Sequence, residues 1–184
     1  VINKCSTDEQ LLSVVRAAAD AGFRRLKPYF MIGLPTETDE DVEAIADLVG
    51  RLASEFPSVA FQLSVSSFVP KPWTPFQWHP MEREHVLKRR FALLRKRIAG
   101  IRGVKLSGES PRLAIVQGLL ARGDRRVSRV IAAALDNGED YSAAMRQIDV
   151  DWYLYRHRGR EETLPWDHID ARVSKDYLWR EYQN

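Results

Sequence analysis

Two capped helix starts bracket one short apolar run, and this order of elements restricts the fold more than any other feature of the chain. Thr7 stands three residues before Gln10, and Thr38 three before Asp41. That is the spacing at which a cap side chain and a third-position side chain satisfy each other's backbone donors. Leu11, Val15, Ala18, Ala19 and Gly22 follow the first cap on one helical face, and Gly22 stops the helix. Val42, Ile45, Ala46, Val49, Leu52 and Ala53 follow the second, in a helix that ends before Pro57. Between the helices lies Tyr29-Phe30-Met31-Ile32, closed by Gly33-Leu34-Pro35. A continuous apolar run of this length, cut by Gly and Pro, suits a strand buried on both faces. Pro28 is tolerable only at its entrance, before ladder bonding begins.

The alternation continues. Phe61, Leu63 and Val65 alternate with Gln62, Ser64 and Ser66 in a second strand over 59–68. A proline-rich loop (Pro70, Pro72, Pro75, Pro80) leads to a helix from about Glu82 to Gly100 with the apolar face Leu87, Phe91, Leu94, Ile98. A short strand, 103–107, follows. Helix, strand, helix, strand, helix, strand is the signature of parallel βα units. Residues 24–33 and 59–68 are expected side by side and parallel, with 38–54 as the right-handed crossover.

From Pro111 the strands cease. Leu113, Val116 and Leu120 share one helical face; Val127, Val130, Ile131, Ala134 and Leu135 make another helix, closed by Asn137-Gly138. Met145, Ile148, Trp152 and Tyr155 make a third, and a last helix runs near 175–182. The expected organisation is α/β over residues 1–110 and an all-helical extension over 111–184.

Composition narrows the class. With 184 residues, 45% hydrophobic, the chain is neither disordered nor fibrous. No apolar stretch is long enough for a transmembrane helix, and a single Cys5 forms no internal disulfide. A cytoplasmic setting, with no membrane partner, is the expectation. The chain lacks an initiator Met and reads as an excised or processed piece. Net charge is only +3, yet residues 83–129 hold 14 Lys/Arg against 3 Asp/Glu, and the segments on either side are acidic. This band is the natural footprint for RNA or another polyanion, unless the flanking acids fold against it.

The chemistry centres on Gly33-Leu34-Pro35-Thr36-Glu37-Thr38, a strand-to-helix turn. Gly33 leaves room for a ligand against the backbone, Pro35 stiffens the turn, and helix N–H groups face the cleft. In βα architectures ligands bind at this carboxyl end of the strands. Trp73, Phe76 and Trp78 form either an aromatic wall above such a mouth or a lid on the helical extension. Arg122-Gly123-Asp124-Arg125-Arg126 reads as a helix break with Asp124 as cap, its arginines extending from the junction as anion contacts. Asp167-His168-Ile169-Asp170 holds metal-ligand types, but reads more simply as a loop ordered by His168, with Trp166 and Ile169 packed inward. His79, His85 and His157 have no recognisable partners.

The turn resembles the G-[FL]-P-x-[EQ]-T variant found in radical S-adenosylmethionine (SAM) enzymes, where the fifth barrel strand ends against the adenine. Phe61 to Trp78 look like the sixth strand and its loop. Arg122–Arg126 and Leu164–Asp170 are similar to the helical extension of a bacterial group of B12-binding-type radical SAM proteins. The resemblance implies the last βα units of a parallel, partial β/α barrel. It implies Met31, Gly33, Glu37, Ser66 and Ser67 as cofactor-binding residues; Trp73, Phe76, Arg122, Arg125 and Arg126 are the candidate substrate or anion contacts read from the loop and the helix break. Its cofactors would be SAM and a [4Fe-4S] cluster, with cobalamin entering only through an upstream domain. Reductive cleavage of SAM would give a 5′-deoxyadenosyl radical. The family's Cys-x3-Cys-x2-Cys motif is absent, and Cys5 alone cannot bind a cluster. The chain therefore looks like the carboxyl-terminal half of such an enzyme, inactive alone, with the upstream half of the same polypeptide as its partner. The rivals are a non-catalytic RNA-binding module using residues 83–129, and a helical domain that docks an acidic partner.

Overall fold

The computed structural model describes residues 7–183; Cys5 lies outside them. The fold is mixed α/β, a small parallel sheet with many helices. It divides into two compact units. The first holds the chain up to Ser67 and residues 85–110; the second holds residues 68–84 and everything from Pro111. The proline-rich loop thus belongs with the carboxyl-terminal helices rather than with the strands on either side of it.

In the first unit the order is α1 (Asp8–Asp20), β1 (Arg25–Leu26), β2 (Tyr29–Ile32), α2 (Asp39–Glu55), β3 (Ala60–Ser67), α3 (from Glu84 to Ile98) and β4 (Val104–Gly108). Both capping boxes form: Thr7 and Thr38 each accept from the third helical N–H, and Gln10 and Asp41 each accept from the cap N–H. All strands are parallel. β1 and β2 pair in turn with β3, and β4 pairs with its opposite edge. β1 and β2 are therefore two stretches of one edge strand. Pro28 is not at its entrance, because pairing has already begun with the Ala60 N–H donating to Arg24 at 2.9 Å. The Pro28 carbonyl still accepts from Ser64 at 2.9 Å, but Pro28 has no N–H to donate. The ladder lapses for that one rung and splits the strand.

The sheet is covered on one face. Leu26, Phe61 and Val104 point into a cluster with Val15 of α1 and Leu52 of α2. Leu87, Phe91, Leu94 and Ile98 of α3 are buried as expected. Phe91 packs so closely that a Cβ on Gly108 would lie 2.9 Å from its ring and 2.6 Å from the Val65 carbonyl. The other face carries Tyr29, Met31, Gln62, Ser64, Ser66, Lys105 and Ser107, and Tyr29 is 73% exposed. The apolar run is thus not buried on both faces. It is an edge strand with one helical layer against it.

The second unit contains α4 (Pro111–Arg122), α5 (Ser128–Asp136), α6 (Tyr141–Ala144), α7 (Val150–Leu154) and α8 (Lys175–Gln183). Two expectations change here. Leu113 and Leu120 are exposed, while Ile115, Gly118, Leu119 and Arg122 form the buried face of α4. A helix apolar nearly all round does not announce which face turns inward; Gly118, in contact distance of Met81 and Leu154, decides it. The helix expected over Met145–Tyr155 is broken, because the Asp149 carboxylate accepts the Trp152 N–H and starts α7 afresh. Around Trp78, fully buried, gather Leu164, Trp166 and Leu178, with Trp73, Trp179 and Tyr182 packed against them. No helix is long and apolar enough to cross a membrane among the described residues.

Candidate functional site

The turn after β2 is built around two residues that share one hydrogen bond. Gly33 has φ +83°, a conformation open mainly to glycine, and its N–H donates to Glu37 Oε2 at 2.7 Å. The Glu37 N–H in turn donates to the Leu34 carbonyl at 3.2 Å. Thr36, with φ +65°, is a non-glycine residue held in the left-handed region. The strained loop is fixed by Arg90 of α3, whose Nη1 donates to Glu37 Oε2 at 2.9 Å and Nη2 to the Glu37 carbonyl at 2.5 Å. Both side chains of this pair are 7% exposed. Arg90 Nε reaches Asp39 at 3.3 Å, and Arg89 holds the same oxygen at 3.0 Å. Burial pushes the Glu37 carboxyl above its ordinary range, against the pull of the Gly33 N–H and Arg90.

Beside this clamp, at the carboxyl ends of β2 and β3, lies a cleft of about 760 Å³. Met31, Leu34, Pro35 and Ile45 give it apolar walls, and Thr36, Asp41 and Ser66 supply polar groups. Its volume and its mixture of apolar wall and few polar groups are those of a small-molecule site. Of the expected cofactor residues, Met31, Glu37 and Ser66 line this cleft. Gly33 shapes it through the turn. Ser67 is placed differently: it is buried on the helix-covered face, with its Oγ unpartnered among the described residues.

The expected substrate or anion contacts do not gather at one place. Trp73 and Phe76 belong to the aromatic packing of the second unit, Phe76 edge-on to Phe68 at 5.3 Å and to Tyr182 at 6.3 Å. This loop packs on the helices of the second unit. Arg122 is wholly buried, donates to the Tyr153 carbonyl at 3.1 Å, and is lowered to about 9 by burial and by Arg158 beside it. Arg126 is forked onto Asp124 at 2.6–3.0 Å. Arg125 is exposed. Asp124 caps the turn after α4 as expected. The 167–170 loop assembles no group of three metal ligands among the described residues, and Ile169 is 53% exposed rather than packed inward. His79 does have partners: Tyr182 Oη at 2.9 Å and the His157 ring edge-on at 5.0 Å.

The residue that sequence reasoning missed is Arg90. It was counted with the basic band, yet it stands three after Leu87 and four before Leu94, inside the apolar stripe of α3. A charge at such a position is buried or bent, and either outcome calls for an acid partner.

The comparisons with known proteins are sparse. The chain is 28% identical over 169 residues to an uncharacterized protein of Methanocaldococcus jannaschii. That match covers 91% of this chain but only 36% of the relative, so the chain spans about a third of the length of the curated protein it matches. No family model matches the chain. No solved structure matches it either.

Proposed function

We propose that this chain is the carboxyl-terminal part of a radical SAM enzyme, and that the cleft beside the Gly33–Glu37 turn is the nucleoside side of its SAM site. The observation that supports this most directly is the position of the cleft: it lies at the carboxyl ends of two parallel strands, between Tyr29, Met31 and Ser66 of the open sheet face and Asp41 and Ile45 at the start of α2. A partial β/α barrel presents its interior in this way. In this reading the open face (Tyr29, Met31, Gln62, Ser64, Ser66) lines the barrel interior, and the chain continues the barrel of an upstream half. The relative is nearly three times as long as the match, which leaves room for a further portion.

The donor set fits an adenosine. Met31, Leu34 and Pro35 offer apolar contact to a base, and Ser66 and Thr36 offer hydroxyls to its edges and sugar. Glu37 acts differently from a direct ligand. Its carboxylate is engaged by the Gly33 N–H and Arg90, so it sets the shape of the turn. The chain does not fit a [4Fe-4S] cluster, since it has one cysteine and no three-ligand group among the described residues. Electron delivery is therefore assigned to residues outside it, and cobalamin likewise.

The test is anaerobic formation of 5′-deoxyadenosine by the reconstituted intact polypeptide. Gly33→Val closes the left-handed conformation and puts a branched side chain beside the cleft. Turnover should fall at least a hundredfold while the circular dichroism spectrum is kept. Turnover by the 184-residue chain alone, or unchanged turnover in Gly33→Val, would remove the proposal.

A further inference from the structure

The second unit has a groove of its own. A groove of about 360 Å³ beside the start of α5 is lined by Arg126, Arg129, Gln147, Asp149, Trp152 and Tyr153. One acid lines it, Asp149, which caps α7 and keeps its charge; the neighbouring Asp124 is the partner of Arg126. Arg126 is further held over the Tyr153 ring at 5.5 Å. Arg129 has no ion pair or hydrogen bond among the described residues, and exposed Arg125 stands one turn before it. Trp152 is 51% exposed, unusual for so large an apolar ring. One face of its ring is stacked by the Arg156 guanidinium, 3.8 Å from the centroid, and Arg156 is forked onto Glu162 at 2.5 and 2.7 Å. An exposed indole and a cation with no acid bonded to it among the described residues share one small groove. This pairing suits a ligand with a flat ring and an anionic group a few ångströms from it.

We infer that the groove binds a nucleotide unit, its base stacked on Trp152 and its phosphate on Arg129. The same chemistry is offered by a free nucleotide and by one residue of a single-stranded nucleic acid. The band of residues 83–129 does not act as a whole. Arg89, Arg90, Arg97, Arg112 and Arg126 are each bound to an acid, and Arg122 is buried.

The full chain is titrated by fluorescence anisotropy against a labelled single-stranded RNA of mixed sequence, between about 50 and 200 mM salt, the range over which counterion release is large. Trp152→Ala should weaken binding about tenfold or more, and Trp152→Phe should retain most of it, because a stacking ring remains. Arg129→Gln should reduce the slope of log affinity against log salt by about one. Arg95→Gln and Lys96→Gln, exposed in the first unit, serve as controls and should change affinity less than twofold. Both groove residues are exposed, and an unchanged circular dichroism spectrum confirms the fold of each variant. Competition by adenosine monophosphate at equal nucleotide concentration assigns the groove to free nucleotides; competition by oligonucleotides alone assigns it to single strands, and either supports the site. Absence of binding at low salt, full binding by Trp152→Ala, or losses in the control variants equal to that in Arg129→Gln would overturn it.

Discussion

Replacing Arg90 by Met keeps the length and apolar stem of the side chain and removes its contacts to Glu37 and Asp39 at once. They include the 2.9 Å ion pair to Glu37 Oε2, the 2.5 Å bond to the Glu37 carbonyl and the 3.3 Å bond to Asp39. The dominant effect is not the lost attraction. Glu37, 7% exposed in the native pair, keeps the Gly33 N–H but loses its counter-charge. Breaking a buried pair on one side costs about 3–5 kcal/mol, since an uncompensated charge is left behind. The companion substitution Glu37→Gln removes that charge while its amide oxygen still accepts the Gly33 N–H. The double variant should therefore recover much of the loss and end about 1–2 kcal/mol below the native protein, the value of the remaining hydrogen bonds. The assay must report the first unit separately. All five tryptophans lie at positions 73, 78, 152, 166 and 179, within the second unit, so their emission is unsuited to it. Hydrogen exchange of peptides covering 29–38 and 85–98 reads the right region, and the difference in opening free energy between the four proteins gives the coupling directly. A coupling below about 0.5 kcal/mol, within the error of additivity for independent sites, would refute the clamp.

Three other outcomes are expected. His79 is lowered from 6.5 to about 4 by burial, by His157 and by Arg122, so folding binds it neutral. Its contribution is full above pH 6.5 and is lost as pH falls towards 4, a decline of up to about 2–3 kcal/mol once residual solvent is allowed for. Tryptophan-monitored urea unfolding should show this slope, and His79→Phe should flatten it; an equal slope in the variant would remove His79 as the cause. Gly123→Ala puts a Cβ 2.2 Å from Val127 Cγ2 and 2.7 Å from the Leu119 carbonyl, and should destabilise the second unit by about 1–3 kcal/mol in the same measurement. Thr38→Ala removes the acceptor of the Asp41 N–H and should cost about 1 kcal/mol, seen as faster exchange in the first turn of α2.

What could be read from the sequence was whatever has a short period. The stripe of α2, the alternation in β3 and the two capping boxes each repeat within four residues, and each stands where its pattern put it. What failed needed a partner distant in the chain. Pro28 reads as an entrance residue until the register shows Arg24 already paired. Asp149 is an ordinary surface acid in a list, and a helix break only once its oxygen takes the Trp152 N–H. Trp73 and Phe76 were open between two roles because their neighbours, Tyr182 above all, lie a hundred residues away. The turn at Gly33 was visible as a turn, but the ion that locks it was not, because Arg90 is 53 residues from Glu37.

The basic band shows the same lesson in electrostatic form. Fourteen cations against three acids over residues 83–129 suggest a field strong enough to gather polyanions. In the fold, α3 carries much of that charge, and its arginines meet the acids of another helix. Arg89 and Arg90 reach Asp39, and Arg97 reaches Asp47, both acids of α2. Exposed pairs of this kind contribute little stability, about 0–1 kcal/mol each. Their larger effect is to cancel charge, so a density that looks extreme along the chain is local neutrality between two helices. The acidic stretch before the band supplies most of the partners, Glu37, Asp39 and Asp47; Asp151 after it meets Arg83, and Glu84 and Asp124 within it meet Arg112 and Arg126. A binding footprint must then be sought among cations that have no acid within reach. That criterion leaves Arg95 and Lys96 on α3 and Arg125 and Arg129 at the head of α5; only Arg129 shares a groove with an exposed aromatic ring, Trp152.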